Sequence, residues 1–207
     1  MRSSTTTIGS PPPIPAAAGL GTSARAREID RDTVALCNAG DEAAYARFVQ
    51  HYERAVTALL YRVLGPHADI EDLAQEVFLR AFRALPRFSL DGPAAISTWL
   101  LTIATRLALN DKRRARTSGV VASEVEPLDP RTPEHSYSQA ELGVAIERAL
   151  ASLPIEQRAA FILAEFHGMT MAELAEALEI PENTAKTRIF RAREKMRALL
   201  APHWREP

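Results

Sequence analysis

The chain has 207 residues, 25% of them charged and 46% apolar, with a formal net charge of -1. That length leaves room for two small cores and that composition excludes wholesale disorder, while the near-neutral charge excludes a globally basic nucleic-acid binder, so any such surface must come from local clustering. A single cysteine, Cys37, and five histidines without ligand spacing exclude a disulfide framework and a multi-cysteine zinc site.

Residues 1–27 contain Pro11, Pro12, Pro13 and Pro15 among small polar residues. Such a stretch cannot bury enough surface to offset chain entropy and is expected to be a disordered tail. It lacks the apolar middle of a signal peptide, and no run in the chain approaches the roughly 20 apolar residues that span a bilayer. A cytoplasmic protein without membrane insertion is therefore expected.

From 28 to 116 the apolar residues recur at three- and four-residue steps, broken at Gly65-Pro66 and again around Ser89 to Pro93. Within this zone, Ile70, Leu73, Val77 and Ala81 repeat at helical spacing, and Asp69, Asp72, Gln75 and Glu76 crowd a second face. Taken alone, that acidic face suits a solvated surface. A second helix, starting near Ala94, buries a stripe of Ile96, Leu100, Ile103 and Leu107. Another of its faces aligns Trp99, Thr102, Arg106, Asn110 and Arg113, continued by Lys112, Arg114 and Arg116. Aromatic, amide and basic groups along one helix suit unpaired bases and their phosphates, since base stacking on an aromatic ring contributes about 1–3 kcal/mol. Trp99 fits either the core or a stacking role.

Residues 117–137 carry Gly119, Pro127, Pro130 and Pro133 with Glu124, Glu126, Asp129 and Glu134, the composition of an extended acidic linker between two domains. Helical periodicity returns over 138–201, and 202–207 form a short tail. Thr170-Met171-Ala172-Glu173 has the form of a capping box, with Met171, Leu174, Ala175 and Leu178 on one face of the short helix that follows. A turn at Glu179–Asn183 leads to a helix from Thr184, whose buried stripe is Ala185, Ile189, Ala192, Met196 and Leu199. Lys186, Thr187, Arg188, Phe190, Arg191, Arg193, Lys195 and Arg197 lie off that stripe. Two helices joined this way, the second of them basic, predict a helix-turn-helix that reads the major groove. The first residues of its second helix would contact bases, and Arg193 and Arg197 would meet phosphates. Residues 152–166 supply a supporting helix. No β-alternation and no internal repeat is visible.

The runs DIEDLAQEVFLRAFRAL (69–85), STWLLTIATRLALNDKRRAR (97–116) and SLPIEQRAAFILAEFHGMTMAELAEALEIPENTAKTRIFRAREKMRALL (152–200) resemble regions 2 and 4 of an extracytoplasmic-function sigma factor. Gly40 to Tyr45 and Phe48 resemble that family's first helix pair. The resemblance implies an all-α protein of two small helical domains, a region 2 bundle (28–116) and a region 4 helix-turn-helix (138–201), joined by the acidic linker. It implies docking on core RNA polymerase through Asp69, Asp72, Gln75 and Glu76. Capture of a flipped minus-10 base would fall to the loop containing Phe88, Ser89, Leu90 and Asp91, supported by Trp99, Arg106, Asn110 and Arg113. Reading of the minus-35 element would fall to Lys186, Thr187, Arg188, Phe190 and Arg191. The implied partners are core RNA polymerase, promoter DNA and an anti-sigma factor, with no cofactor and no metal.

Two departures from the family pattern stand out. Thr102-Ile103-Ala104-Thr105-Arg106 replaces a common Arg-Ile-Ala-x-Asn, moving the charge one turn along. Asn183 stands where the family often has Gly before Thr184, and Asn tolerates a left-handed conformation better than most residues. Two other readings compete: a conventional helix-turn-helix regulator, which would leave 69–116 unexplained, and a sigma mimic that titrates an anti-sigma factor, which would not need both basic faces. An enzyme is not expected, because Cys37 has no matched base and the carboxylates lack metal spacing.

Overall fold

The structure, a computed structural model, describes residues 28–66, 68–92, 94–117 and 139–204. The Pro-rich start and all of the acidic linker beyond Thr117 lie outside the described residues, and among those described there is no β-strand. Among the described residues eight α-helices follow one another: α1 Arg31–Asn38, α2 Glu42–Leu64, α3 Ile70–Ala84, α4 Ile96–Thr117, α5 Gln139–Ala151, α6 Ile155–Glu165, α7 Met171–Ala177 and α8 Glu182–Leu200.

Three of the first four begin on an aspartate whose carboxylate accepts a backbone N–H that the helix itself leaves unpaired. Asp30 accepts from the Thr33 amide at 2.7 Å, Asp41 from Ala44 at 2.7 Å and Asp69, more loosely, from Asp72 at 3.4 Å. Each such cap satisfies one of the amides that the first turn leaves free. The Thr33 amide and hydroxyl hold the Asp30 carboxyl below its ordinary range. At the other end of α2, Gly65 adopts a φ of 90° and donates to the Tyr61 carbonyl at 2.8 Å, a left-handed stop that a side chain would strain.

Helix α2 is the central element. Its buried residues Phe48, Tyr52, Val56, Leu59, Leu60 and Val63 give it an apolar face along its length, and it packs on α1, α3, α4, α5 and α6. Around Phe48 gather Phe82 at 5.6 Å, Tyr52 at 5.0 Å and Phe78 at 6.5 Å between ring centroids, in tilted and edge-on geometries that add to burial. On α3 the fully buried positions are Ala74, Val77, Phe78 and Ala81, whereas Ile70 and Leu73 are only half-buried. The stripe of α4 runs as expected through Ile96, Leu100 and Leu107, with Ile103 half-buried. In α8, Ala185, Ile189, Ala192 and Met196 are buried against α5, α6 and α7, but the last position belongs to Leu200 rather than Leu199. A 3-10 turn over Ala201–Trp204 extends the chain beyond position 201.

The two halves meet through the C-terminal end of α2. The half-buried Arg158 guanidinium on α6 donates to the Val63 carbonyl at 3.0 Å, to Leu153 at 3.1 Å and to Ala151. Burial lowers the pKa of Arg158, yet a guanidinium stays charged in any protein setting. Arg62 pairs with Glu147 of α5 at 2.9 Å and lies 4.6 Å over the Phe166 ring. Beside it, His167 is pushed down to about 4 from an ordinary value of 6.5, first by burial and then by the Arg62 charge, and its buried Nε2 has no hydrogen-bond partner.

Two outcomes follow from this junction. Arg158→Ala should cost about 2–4 kcal/mol in urea unfolding, because three carbonyls lose a charged donor at a buried site. His167 is neutral when folded, whereas the unfolded chain takes up its proton below 6.5. The folded state therefore binds fewer protons between the two values, so stability is fully present above 6.5 and falls as pH drops toward 4, by about 3 kcal/mol. Denaturation midpoints of wild type and His167→Gln across that window should converge at the acid end.

Candidate nucleic-acid interface

Helix α7 opens with the expected capping box: the Thr170 hydroxyl accepts from the Glu173 amide at 3.3 Å, and the Glu173 carboxylate accepts from the Thr170 amide at 2.8 Å. It ends in a pair of bonds, Ile180 N–H to the Ala175 carbonyl at 3.0 Å and Glu179 N–H to Glu176 at 3.2 Å, the pattern of a Schellman stop. The left-handed residue of that stop is Glu179, with φ 55°, and not Asn183, which lies inside α8. Helix α8 starts at Glu182, two residues ahead of the expected Thr184, since Pro181 can precede a helix whose first amides are free.

The basic face of α8 divides into two parts. Lys186, Thr187 and Arg191 are exposed, Phe190 is 63% exposed, and Arg188 is half-buried. Lys186, Arg188 and Arg191 form no ion pair among the described residues. Farther along, Arg193 binds Glu165 at 2.6 Å, Lys195 donates to the Ser152 carbonyl at 2.7 Å, and Arg197 lies 4.0 Å from Glu194. Arg193 and Lys195 tie α8 to the rest of its domain, while the Arg197 contact stays within the helix. Arg193 is thus engaged by Glu165, whereas the N-terminal half of the helix is the surface without such partners among the described residues.

In the first half of the chain, Asp69, Asp72 and Gln75 are exposed on α3, while Glu76 is half-buried and pairs with Arg80 at 2.6 Å. Asp69 also serves as the helix cap. Leu79, 49% exposed on the same helix, is an apolar contribution to this surface that an acid-counting reading of the sequence passes over.

After a 3-10 turn at Leu85–Arg87, Phe88 stacks on Trp99 of α4 with ring centroids 4.9 Å apart. Both rings are half-buried, so Trp99 packs at the base of the loop with part of its surface open. Ser89, Leu90 and Asp91 form a tight turn closed by Gly92 N–H on the Ser89 carbonyl at 3.1 Å. Asn110 and Arg113 are exposed and bonded to each other at 3.2 Å. Arg106 points elsewhere: it donates to the carbonyls of Glu176 at 2.6 Å and Ala177 at 3.3 Å and sits 3.4 Å from the Glu179 carboxylate. A cation at the C-terminal end of α7 complements the helix dipole. Helical periodicity gives Arg106 a face of α4, but cannot show that α7 packs there.

Among the described residues no group of three or more acidic, histidine or cysteine side chains is placed to hold a metal, and no described helix is long and apolar enough to cross a membrane. The family description "Sigma-70 region 2" matches residues 48–117, and "Sigma-70, region 4" matches 143–196. The chain is 32% identical over 191 residues to the RNA polymerase sigma-H factor of Pseudomonas aeruginosa, covering 87% of this chain and 98% of that protein. It is 35% identical over 176 residues to the ECF RNA polymerase sigma-E factor of Escherichia coli K12, covering 80% and 91%. Its fold is similar to that of CnrH solved in complex with the cytosolic domain of CnrY, with a TM-score of 0.58, 25% identity, and 83% and 97% of the two chains covered.

Glu179→Gly tests the balance at the α7 stop. A left-handed position favours glycine by up to about 1 kcal/mol, whereas the exposed Arg106 pair is worth less than that, so the variant should melt slightly higher than wild type.

Proposed function

Because the chain belongs to the extracytoplasmic-function sigma factors of the sigma-70 family, we propose that it binds core RNA polymerase in the cytoplasm, recognises promoters and assists strand opening at initiation, contributing recognition and no catalysis of its own. The observation that carries this reading is the coexistence on one chain of an open acidic face on α3 and an open basic face at the start of α8. A conventional regulator needs only the second of these.

The roles of individual residues extend that proposal. Asp69, Asp72, Gln75 and Glu76 dock on polymerase, with Leu79 adding apolar area at the C-terminal end of the patch. Lys186, Thr187, Arg188, Phe190 and Arg191 read the minus-35 element, where a basic side chain can donate two bonds to a guanine edge. The Phe88–Asp91 turn receives a flipped minus-10 base, with Trp99, Asn110 and Arg113 along the adjacent helix. The domains are 28–116 and 138–201, joined by the acidic linker 117–137.

Arg106 introduces a constraint. For its guanidinium to meet minus-10 DNA it must give up Glu176, Ala177 and Glu179, so the free protein and the polymerase-bound protein differ in how the domains sit. Each domain alone binds DNA weakly, and polymerase holds both at one spacing so that their energies combine. Near-zero net charge keeps the free chain off bulk DNA. An anti-sigma factor is the partner class we assign to the free state, on the precedent that the similar CnrH was solved with a protein bound.

Run-off transcription with purified core polymerase on the source genome's promoters tests the proposal; no specific initiation would overturn it. Lys186→Ala and Arg191→Ala should each weaken promoter binding by about 1–3 kcal/mol without reducing core affinity. Asp72→Ala with Gln75→Ala should do the reverse.

A further inference from the structure

The Ser89–Gly92 turn has only one internal hydrogen bond, from Gly92 to Ser89, yet a turn that must receive a base needs a defined shape before the base arrives. Its support comes from a distant part of the chain. Arg31, at the start of α1, reaches across 60 positions to donate to the Asp91 carboxylate at 2.8 Å and to the Leu90 carbonyl at 3.1 Å. One turn earlier, Glu28 accepts from the Ser97 amide at 3.3 Å and from the Ser97 hydroxyl at the opening of α4, beyond the loop. Glu28 is itself fixed by Tyr52, whose hydroxyl donates to the carboxylate at 3.4 Å and accepts from the Ile29 amide at 3.1 Å. Burial pushes the Tyr52 phenol well above its ordinary range, so it remains a donor. The short segment 28–31 thus holds the turn itself and the start of the helix that follows it.

The charges carry a second consequence. Asp91 is 86% exposed, and an unpaired carboxylate on a surface meant for nucleic acid would repel phosphates. Arg31 neutralises it while leaving its own side chain 68% exposed toward the same solvent. Glu28 and Arg31 both precede the 48–117 stretch that matches the region 2 description.

We propose that Glu28 and Arg31 are positioning residues for minus-10 base capture, holding the Ser89–Gly92 turn in its receiving shape from the start of the first domain, ahead of the stretch that matches the region 2 description. The proposal rests on the reading of that turn as the base-capturing element. The experiment uses the full chain with core polymerase and a promoter fragment obtained by start-site mapping. In that fragment 2-aminopurine replaces the non-template bases of the minus-10 element one at a time. Wild type should raise fluorescence at the one position whose base leaves the stack. Arg31→Ala and Glu28→Gln should reduce that signal and the rate of opening about three- to tenfold, the scale of an exposed ion pair plus a charged bond to a carbonyl. Core affinity, minus-35 fragment binding and the melting temperature should hold. The swap Arg31→Asp with Asp91→Arg should recover only the part of the signal that the ion pair supplies, since an aspartate cannot donate to the Leu90 carbonyl, and loss of signal at an unchanged melting temperature is what a merely structural role would not predict.

Ser89→Ala with Leu90→Ala separates the two layers of argument. If this pair abolishes the signal while Arg31→Ala and Glu28→Gln leave it intact, the grip is wrong and the capturing turn stands. If the pair also leaves it intact, the reading of the turn fails. Should Glu28→Gln lower the melting temperature, the exposed Arg31 variants decide.

Discussion

A cation without a carboxylate partner sits where the two halves join. Removing a guanidinium from water costs several kcal/mol unless its protons find acceptors, and Arg158 finds three carbonyls: Val63 at the end of α2, and Ala151 and Leu153 at the turn between α5 and α6. The carbonyls of Val63 and Ala151 lie in the last turn of α2 and of α5, where a helix end leaves acceptors unpaired, and that of Leu153 lies in the turn between helices. The need is mutual, because helix ends without donors and a buried cation without acceptors would both be costly. This reciprocity anchors α6 to α2, and the neighbouring contacts follow from it. Arg62, one residue before Val63, is set against Glu147 and Phe166, and its charge helps keep His167 neutral.

That anchoring sorts the protein's charged surfaces. The acidic face of α3 and the first half of α8 remain open, while Arg106 is drawn onto the end of α7. Two of the three candidate contact surfaces are thus available in this arrangement, and the third is partly occupied by the protein's own helix-turn-helix. The occupied contact is modest: Arg106 is more than a third exposed, and its bonds to carbonyls have ready substitutes in phosphate oxygens. An interface of this strength can hold the domains together in the free chain and still yield to a larger partner.

The residues of α7 and α8 illustrate how local rules and tertiary needs trade off. Glycine would suit the left-handed stop after α7, yet Glu179 occupies it, and its carboxylate lies toward Arg106. The residue whose backbone is strained by the stop is also one that joins the halves. Arg193, Lys195 and Arg197 look identical in sequence to Lys186 and Arg191, but only the latter pair lacks a partner within the domain.

Much of this was legible in the sequence. Periodicity located α3, α4, α7 and α8 because a helix that buries one face must repeat its apolar residues every three or four positions. The capping box of α7 and the breaks at Gly65 and Ser89 were visible because caps and turns depend on a few residues close in sequence. What sequence could not reach was anything set by approach between distant segments. The step from Leu199 to Leu200, the engagement of Arg106, the pairing of Arg193 with Glu165, and the reach of Arg31 to Asp91 all depend on which helix lies against which. Helical spacing gives each side chain a direction around its own axis. Only the packed fold, through volume, burial and the cost of leaving a buried polar group unpartnered, decides what stands in that direction.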